Sequence, residues 1–237
     1  MIIPEHKLIY IHVPKTGGTS IETFLLDYFN LGERSPFYLL DGIGKRETKE
    51  NDGKLTFYPY MHFPLAWIEE ELAKINIIVD ETWNIFSVVR NPYYKLLSEL
   101  FFADLSPLIY NYHTLPDSSK NHYFNQCLNE YLEEKDVWKN NHSLHTTPQY
   151  VFFEGSKLNN IKIAQFEDGL ENIVKTLGFE VKNPFPHRLN TFEMKSSPKP
   201  NYHDVMTRHF VELVNTKYKL DFKTFGYKML EPLDFPE

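Results

Sequence analysis

Leu8-Ile9-Tyr10-Ile11-His12-Val13-Pro14-Lys15-Thr16-Gly17-Gly18-Thr19-Ser20, with Ile21 to Asn30 behind it, is the stretch from which the fold is read. Five of the six residues from Leu8 to Val13 are apolar or aromatic, the pattern of a strand buried on both faces in a parallel sheet. The chain then turns through a proline, two glycines and three hydroxyl residues. Ile21, Phe24, Leu25 and Tyr28 recur at helical spacing, with Thr19 or Ser20 as the expected cap and Asn30-Leu31-Gly32 as the stop. A strand, a glycine turn and a helix N-terminus together make an anion site. Unpaired backbone N–H groups converge there, the helix dipole favours negative charge, and Gly17 and Gly18 permit close approach. Lys15 adds a full positive charge. The order of residues excludes the nucleoside-triphosphatase loop, in which the lysine follows the glycines.

A second stretch repeats the logic: Trp83-Asn84-Ile85-Phe86-Ser87-Val88-Val89-Arg90-Asn91-Pro92-Tyr93-Tyr94-Lys95-Leu96-Leu97-Ser98. It is an apolar strand passing into a helix, with Arg90 at the strand's carboxyl end and Pro92 at the first helical position. Open parallel sheets bind ligands at the carboxyl ends of their strands, which predicts one shared rim for Lys15 and Arg90.

The string from Pro14 to Ser20 resembles the 5'-phosphosulfate loop of sulfotransferases, particularly the membrane-type carbohydrate enzymes and their soluble bacterial relatives. Arg90 with Ser98, eight positions on, resembles the family's 3'-phosphate motif. The resemblance implies an α/β fold of P-loop type, three layers with a central, mainly parallel sheet flanked by helices. It implies transfer of a sulfuryl group from 3'-phosphoadenosine 5'-phosphosulfate (PAPS) to an acceptor hydroxyl, with a glycan as first choice, no metal, and adenosine 3',5'-bisphosphate as product. The loop residues Lys15, Thr16, Gly17, Gly18, Thr19 and Ser20 would hold the 5'-phosphate, and Arg90 and Ser98 the 3'-phosphate. Lys15 would also serve catalysis. Two other classes share some of these features: a P-loop kinase of a small hydroxyl compound, and a non-catalytic nucleotide- or glycan-binding protein.

Length and composition bound the rest. The 237 residues suffice for one large domain over 1–237, and no low-complexity linker divides them. No apolar run approaches the ~20 residues of a membrane span, and Met1 to His6 lacks a signal-like basic flank, so a soluble, cytoplasmic chain is expected. The single Cys127 allows no internal disulfide and fits a reducing compartment. A formal charge of -7 argues against general binding to nucleic acid or acidic membranes. Local donors in a cleft still allow an anionic nucleotide. The sequence leaves oligomeric state open.

Along the chain, residues 33 to 53 read as a loop rich in turn formers, and Lys54 to Tyr58 as a short strand. Pro64 opens a helix whose expected apolar side is Leu65, Ile68, Leu72 and Ile75. His62 sits just before it, where the dipole's positive end favours the neutral ring, the form able to accept a proton. Its place between the two phosphate motifs resembles that of the family's general base, a role assigned here to His62. His12 reads as structural packing, and Glu22 and Glu47 are weaker carboxylate alternatives.

From Asn121 an amphipathic helix is expected, with Tyr123, Phe124, Cys127, Leu128, Tyr131 and Leu132 on one stripe. His142 and His145 lack the partners and spacing of a zinc site, so the segment through Pro148-Gln149 is read as structural or acceptor-contacting. Ile161 to Phe166 is a strand, and Glu167-Asp168-Gly169-Leu170 starts a helix that Gly178 ends. Arg188, Asn190, Lys195 and Lys199 lie in an irregular basic loop that in relatives covers the nucleotide. A last helix is expected from about Asp204 to Lys217. The segment Asp221-Phe222-Lys223-Thr224-Phe225-Gly226-Tyr227, similar to the family's ending, is expected to pack in the core.

Overall fold

A computed structural model describes residues 1–31, 45–49, 55–59, 62–102, 111–137, 143–186 and 201–237. Its strands are β1 (Ile2–Ile3), β2 (Leu8–Ile11), β3 (Lys45–Lys49), β4 (Leu55–Pro59), β5 (Asn84–Val89) and β6 (Lys162–Gln165). The helices of its first half are α1 (Gly18–Tyr28), α2 (Leu65–Lys74), α3 (Pro92–Leu100) and α4 (Asp117–Val137). Those of the second half are α5 (Ser143–Thr146), α6 (Leu170–Thr176), α7 (Tyr202–Val205), α8 (Arg208–Lys217) and α9 (Lys219–Phe225). The described chain forms two compact units, Met1–Arg90 with Gln149–Arg188, and Asn91–Pro148 with Leu189–Glu237.

The first unit is a mixed α/β body around a four-stranded sheet of order β1-β2-β5-β6. β1 runs antiparallel to β2, while β2, β5 and β6 are parallel, in register Ile11↔Ser87 and Val89↔Gln165. β2 is buried along its length, as its continuous apolar run requires. It stops two residues earlier than its apolar pattern suggests, because the Val13 N–H donates back to the Ile11 carbonyl at 3.2 Å and turns the chain. β5 is likewise buried from Ile85 to Val89, whereas β6, at the edge, leaves Ile163 exposed.

α1 closes one core with Ile21, Phe24, Leu25 and Leu26 against Tyr10, Phe86, Val88, Ile173 and Val174. Each such aliphatic or aromatic side chain contributes about 1.5–3 kcal/mol on burial. Tyr28, placed by spacing on the same face, remains 42% exposed and meets the Phe179 ring edge-on at 5.2 Å from the helix end. α2 buries Leu65, Ile68 and Leu72 as expected. Ile75 is exposed, since the helix ends at Lys74 and Ile75 is its C-cap, followed by Asn76 in the left-handed conformation.

Inside the stretch read as a loop, Lys45–Lys49 is a strand paired antiparallel with Leu55–Pro59 in a second, two-stranded sheet. Glu47 falls on it.

The second unit is helical. α3, α4 and α8 bury Leu96, Leu97, Phe124, Cys127, Leu128, Phe210 and Val214 in one cluster, with Tyr218 and Phe222 from the segment that resembles the family's ending. Cys127 is thus a core residue, and burial pushes its thiol above the ordinary value. α4 starts four residues before the expected Asn121. The single terminal helix is instead two, because Thr207 interrupts it, accepting from the Phe210 N–H at 3.2 Å as the cap of α8. Arg188, Asn190, Lys195 and Lys199 lie outside the described residues.

Candidate active site at the strand ends

The three parallel strands end on the same side of the sheet, and the segments just beyond them converge. β2 runs into His12 and the turn of Lys15 to Gly18, β5 into Arg90, β6 into Phe166. The turn is tight: Lys15 takes a left-handed φ of 68° and Gly17 one of 80°. For a non-glycine residue this backbone costs about 1–2 kcal/mol, and neighbouring bonds hold it. Thr16 is fully buried and donates from Oγ1 to the Val13 carbonyl at 2.8 Å. Arg90 donates from Nη1 to the Lys15 carbonyl at 3.1 Å.

Gly17 and Gly18 carry separate constraints. Gly17 is the N-cap of α1, so neither Thr19 nor Ser20 caps the helix. A Cβ on Gly17 would stand 2.7 Å from Leu170 Cδ1 and 3.0 Å from the Phe166 ring. A Cβ on Gly18 would stand 2.1 Å from His12 Nε2. Glycine therefore lets the turn lie directly on the ring of His12 and on the start of α6. The Ser20 N–H donates to the Gly17 carbonyl at 3.0 Å. That leaves the N–H groups ahead of it, in the first turn of an 11-residue helix, as the ones without an intrahelical carbonyl. Lys15 and Thr19 are half-buried at this turn, Ser20 buried.

Behind the loop lies a buried polar chain. Glu22, fully buried on α1, accepts from His12 Nδ1 at 3.1 Å and lies 3.7 Å from the amino group of Met1. Burial opposes its charge, yet His12 and the amino group outweigh that and hold the carboxyl below its ordinary value. Residues 12 and 22 flank the whole turn, so this bond ties its two ends together. His12 is thus more than packing. Its main-chain carbonyl accepts from His62 Nδ1 at 3.0 Å, and its ring meets that of His62 edge-on at 4.6 Å. With its proton on Nδ1, a neutral His62 carries its lone pair on Nε2. His62 is itself buried, 5% exposed.

Arg90 is held from three sides. Its guanidinium lies over the Phe166 ring at 4.5 Å and bonds the Lys15 carbonyl, while its backbone is paired with Gln149. The structure thus brings Lys15, Gly17, Arg90 and, through His12, His62 to one rim. Ser98 is half-buried on α3, in the second unit. Sequence reasoning left Phe166 without a role and gave Gln149 only a general one. Lys95, inside the second motif, is buried and donates to the His145 carbonyl at 2.7 Å, and His145 pairs with Glu99, so both are structural.

Among the described residues no helix is long and apolar enough to cross a membrane. Searches of curated proteins and of solved structures returned no match. A family model described as the sulfotransferase family matches residues 1–228. The match takes in the anion turn, the arginine that grips its carbonyl and the paired histidines behind it, and on that evidence the chain belongs to the sulfotransferase family.

Proposed function

We propose that this protein transfers a sulfuryl group from PAPS to an acceptor hydroxyl, with a sugar hydroxyl as the favoured acceptor, in a fold of P-loop type. The observation that carries the reading is the bond between Arg90 and the Lys15 carbonyl. Two cationic motifs remote in sequence share one strand-end rim, as recognition of two phosphates on one nucleotide requires. The backbone N–H groups of the turn bind the 5'-phosphate with the dipole of α1 behind them. The Lys15 ammonium neutralises charge on the oxygen that leaves sulfur. Arg90 holds the 3'-phosphate, and its guanidinium suits a planar, two-pronged contact. The resemblance assigns Ser98 to that phosphate too, on its motif alone.

Sulfuryl transfer is an in-line displacement. The acceptor oxygen forms its bond to sulfur as the bond between sulfur and the bridging oxygen breaks, that oxygen leaves on the 5'-phosphate, and charge spreads over peripheral oxygens. Positioning and preorganised donors therefore supply most of the acceleration. His62 accepts the acceptor's proton at Nε2, while its Nδ1–H keeps the ring in place on His12. The chemistry calls for no metal.

Calorimetry with adenosine 3',5'-bisphosphate and with ATP·Mg, beside a sulfate-transfer assay over an acceptor panel, tests this reading. Preference for the bisphosphate and transfer from PAPS are expected. Preference for ATP·Mg would indicate a kinase, and binding without transfer a non-catalytic module.

A further inference from the structure

We infer that Gln149 is a positioning residue for Arg90 and thereby a determinant of specificity for a 3'-phosphorylated nucleotide. This rests on the reading of Arg90 as the 3'-phosphate holder. Arg90 is the first residue beyond β5, and the ladder with β6 ends one residue earlier, at Val89↔Gln165. Its N–H and C=O therefore lie past the ladder, and the side chain of Gln149 bonds both. Oε1 accepts from the Arg90 N–H at 2.8 Å, and Nε2 donates to the Arg90 carbonyl at 2.8 Å. The primary amide stands in for a neighbouring strand's peptide, since it carries N–H donors and a C=O acceptor side by side on one planar group, as a peptide does.

Gln149 is fully buried and lies 59 residues from Arg90. Its grip fixes the strand end from which the guanidinium reaches over Phe166 to the Lys15 carbonyl. When that grip is removed, both backbone bonds to Arg90 are lost, the strand end frays, and the guanidinium leaves the orientation in which it meets a phosphate. The turn of Lys15 to Ser20 keeps its own bonds from Thr16 and Gly17, so recognition of the 5'-phosphate persists.

The test is calorimetry with adenosine 3',5'-bisphosphate and adenosine 5'-phosphate on the wild type, Gln149→Met, Gln149→Glu and Arg90→Ala. Gln149→Met keeps volume and loses both bonds, whereas Gln149→Glu keeps an acceptor for the Arg90 N–H. The wild type should prefer the bisphosphate, and Gln149→Met should reduce that preference roughly tenfold or more, as loss of a charged hydrogen bond does. Gln149→Glu should fall between them, and in both Gln149 variants the affinity for adenosine 5'-phosphate should fall far less than that for the bisphosphate. A Gln149→Met protein that keeps the preference while Arg90→Ala loses it overturns this inference alone. Equal loss of both nucleotides in both Gln149 variants also overturns it, leaving Gln149 a part of the fold only. A wild type without preference, or an Arg90→Ala protein that retains it, removes the functional reading and this inference with it.

Discussion

The Nδ1 atom of His62 lies 3.0 Å from the main-chain carbonyl oxygen of His12. A carbonyl only accepts, so the proton sits on Nδ1, and Nε2 of the neutral ring is the basic nitrogen. His62→Asn retains a donor at the Nδ1 position and removes the base. Turnover should fall by roughly 10²–10⁴-fold, the usual worth of general base catalysis, with thermal stability and affinity for adenosine 3',5'-bisphosphate preserved. Rapid-quench turnover and calorimetry on the same preparation check both halves. Full activity would remove His62 from the mechanism.

Lys15→Ala separates binding from chemistry. Its carbonyl still accepts from Arg90, so the turn persists, but the ammonium that meets developing charge is gone. A drop in kcat of about 10²–10³-fold is expected, the scale seen when a preorganised charge-stabilising group is removed. The dissociation constant for the bisphosphate should change much less. Steady-state kinetics with titration of the product nucleotide decides it.

Gly18→Ala probes the turn from beneath. The added methyl would meet the His12 ring at 2.1 Å, and that ring cannot swing aside without breaking its bond to Glu22. Overpacking of this kind costs about 1–3 kcal/mol. Thermal unfolding should show the loss, accompanied by weaker nucleotide binding, because the turn and the ring move together.

Glu22 makes stability depend on pH with a defined sign. Burial raises its carboxyl value, but the interactions with His12 and the Met1 amino group lower it by more, so the folded value lies below the unfolded one. Its contribution is therefore present above the unfolded carboxylate value of about 4.3 and fades as pH falls through the folded value. Glu22→Gln should be less stable at neutral pH by about 1–3 kcal/mol. Its melting temperature should also fall less steeply than the wild type's on acidification below pH of about 5. Melting curves across that range measure both, and parallel curves for the two proteins would contradict the assignment.

The strand, turn and helix from Leu8 to Tyr28, and Arg90 at the end of β5, were legible because continuous apolar runs, paired glycines and a proline at a helix start are local signals. The strand Lys45–Lys49 was not. Every residue in it is charged or polar, and only its backbone ladder to Leu55–Pro59 makes it a strand. The interruption at Thr207 was hidden because apolar residues at helical spacing continue through it from Val205 to Val211. At the site, residue types and order indicated which side chains matter. The partners of Arg90, namely Gln149, Phe166 and the Lys15 carbonyl, come from three separate segments. Pairings of that kind leave no periodic trace in the chain. The link from Glu22 through His12 to His62 was missed for the same reason.

A crystal structure of the protein with adenosine 3',5'-bisphosphate tests the central claim most directly. The account predicts the 5'-phosphate on the backbone N–H groups between Thr16 and Thr19, with the guanidinium of Arg90 on the 3'-phosphate. A nucleotide bound elsewhere, or a 3'-phosphate that Arg90 does not touch, would contradict it.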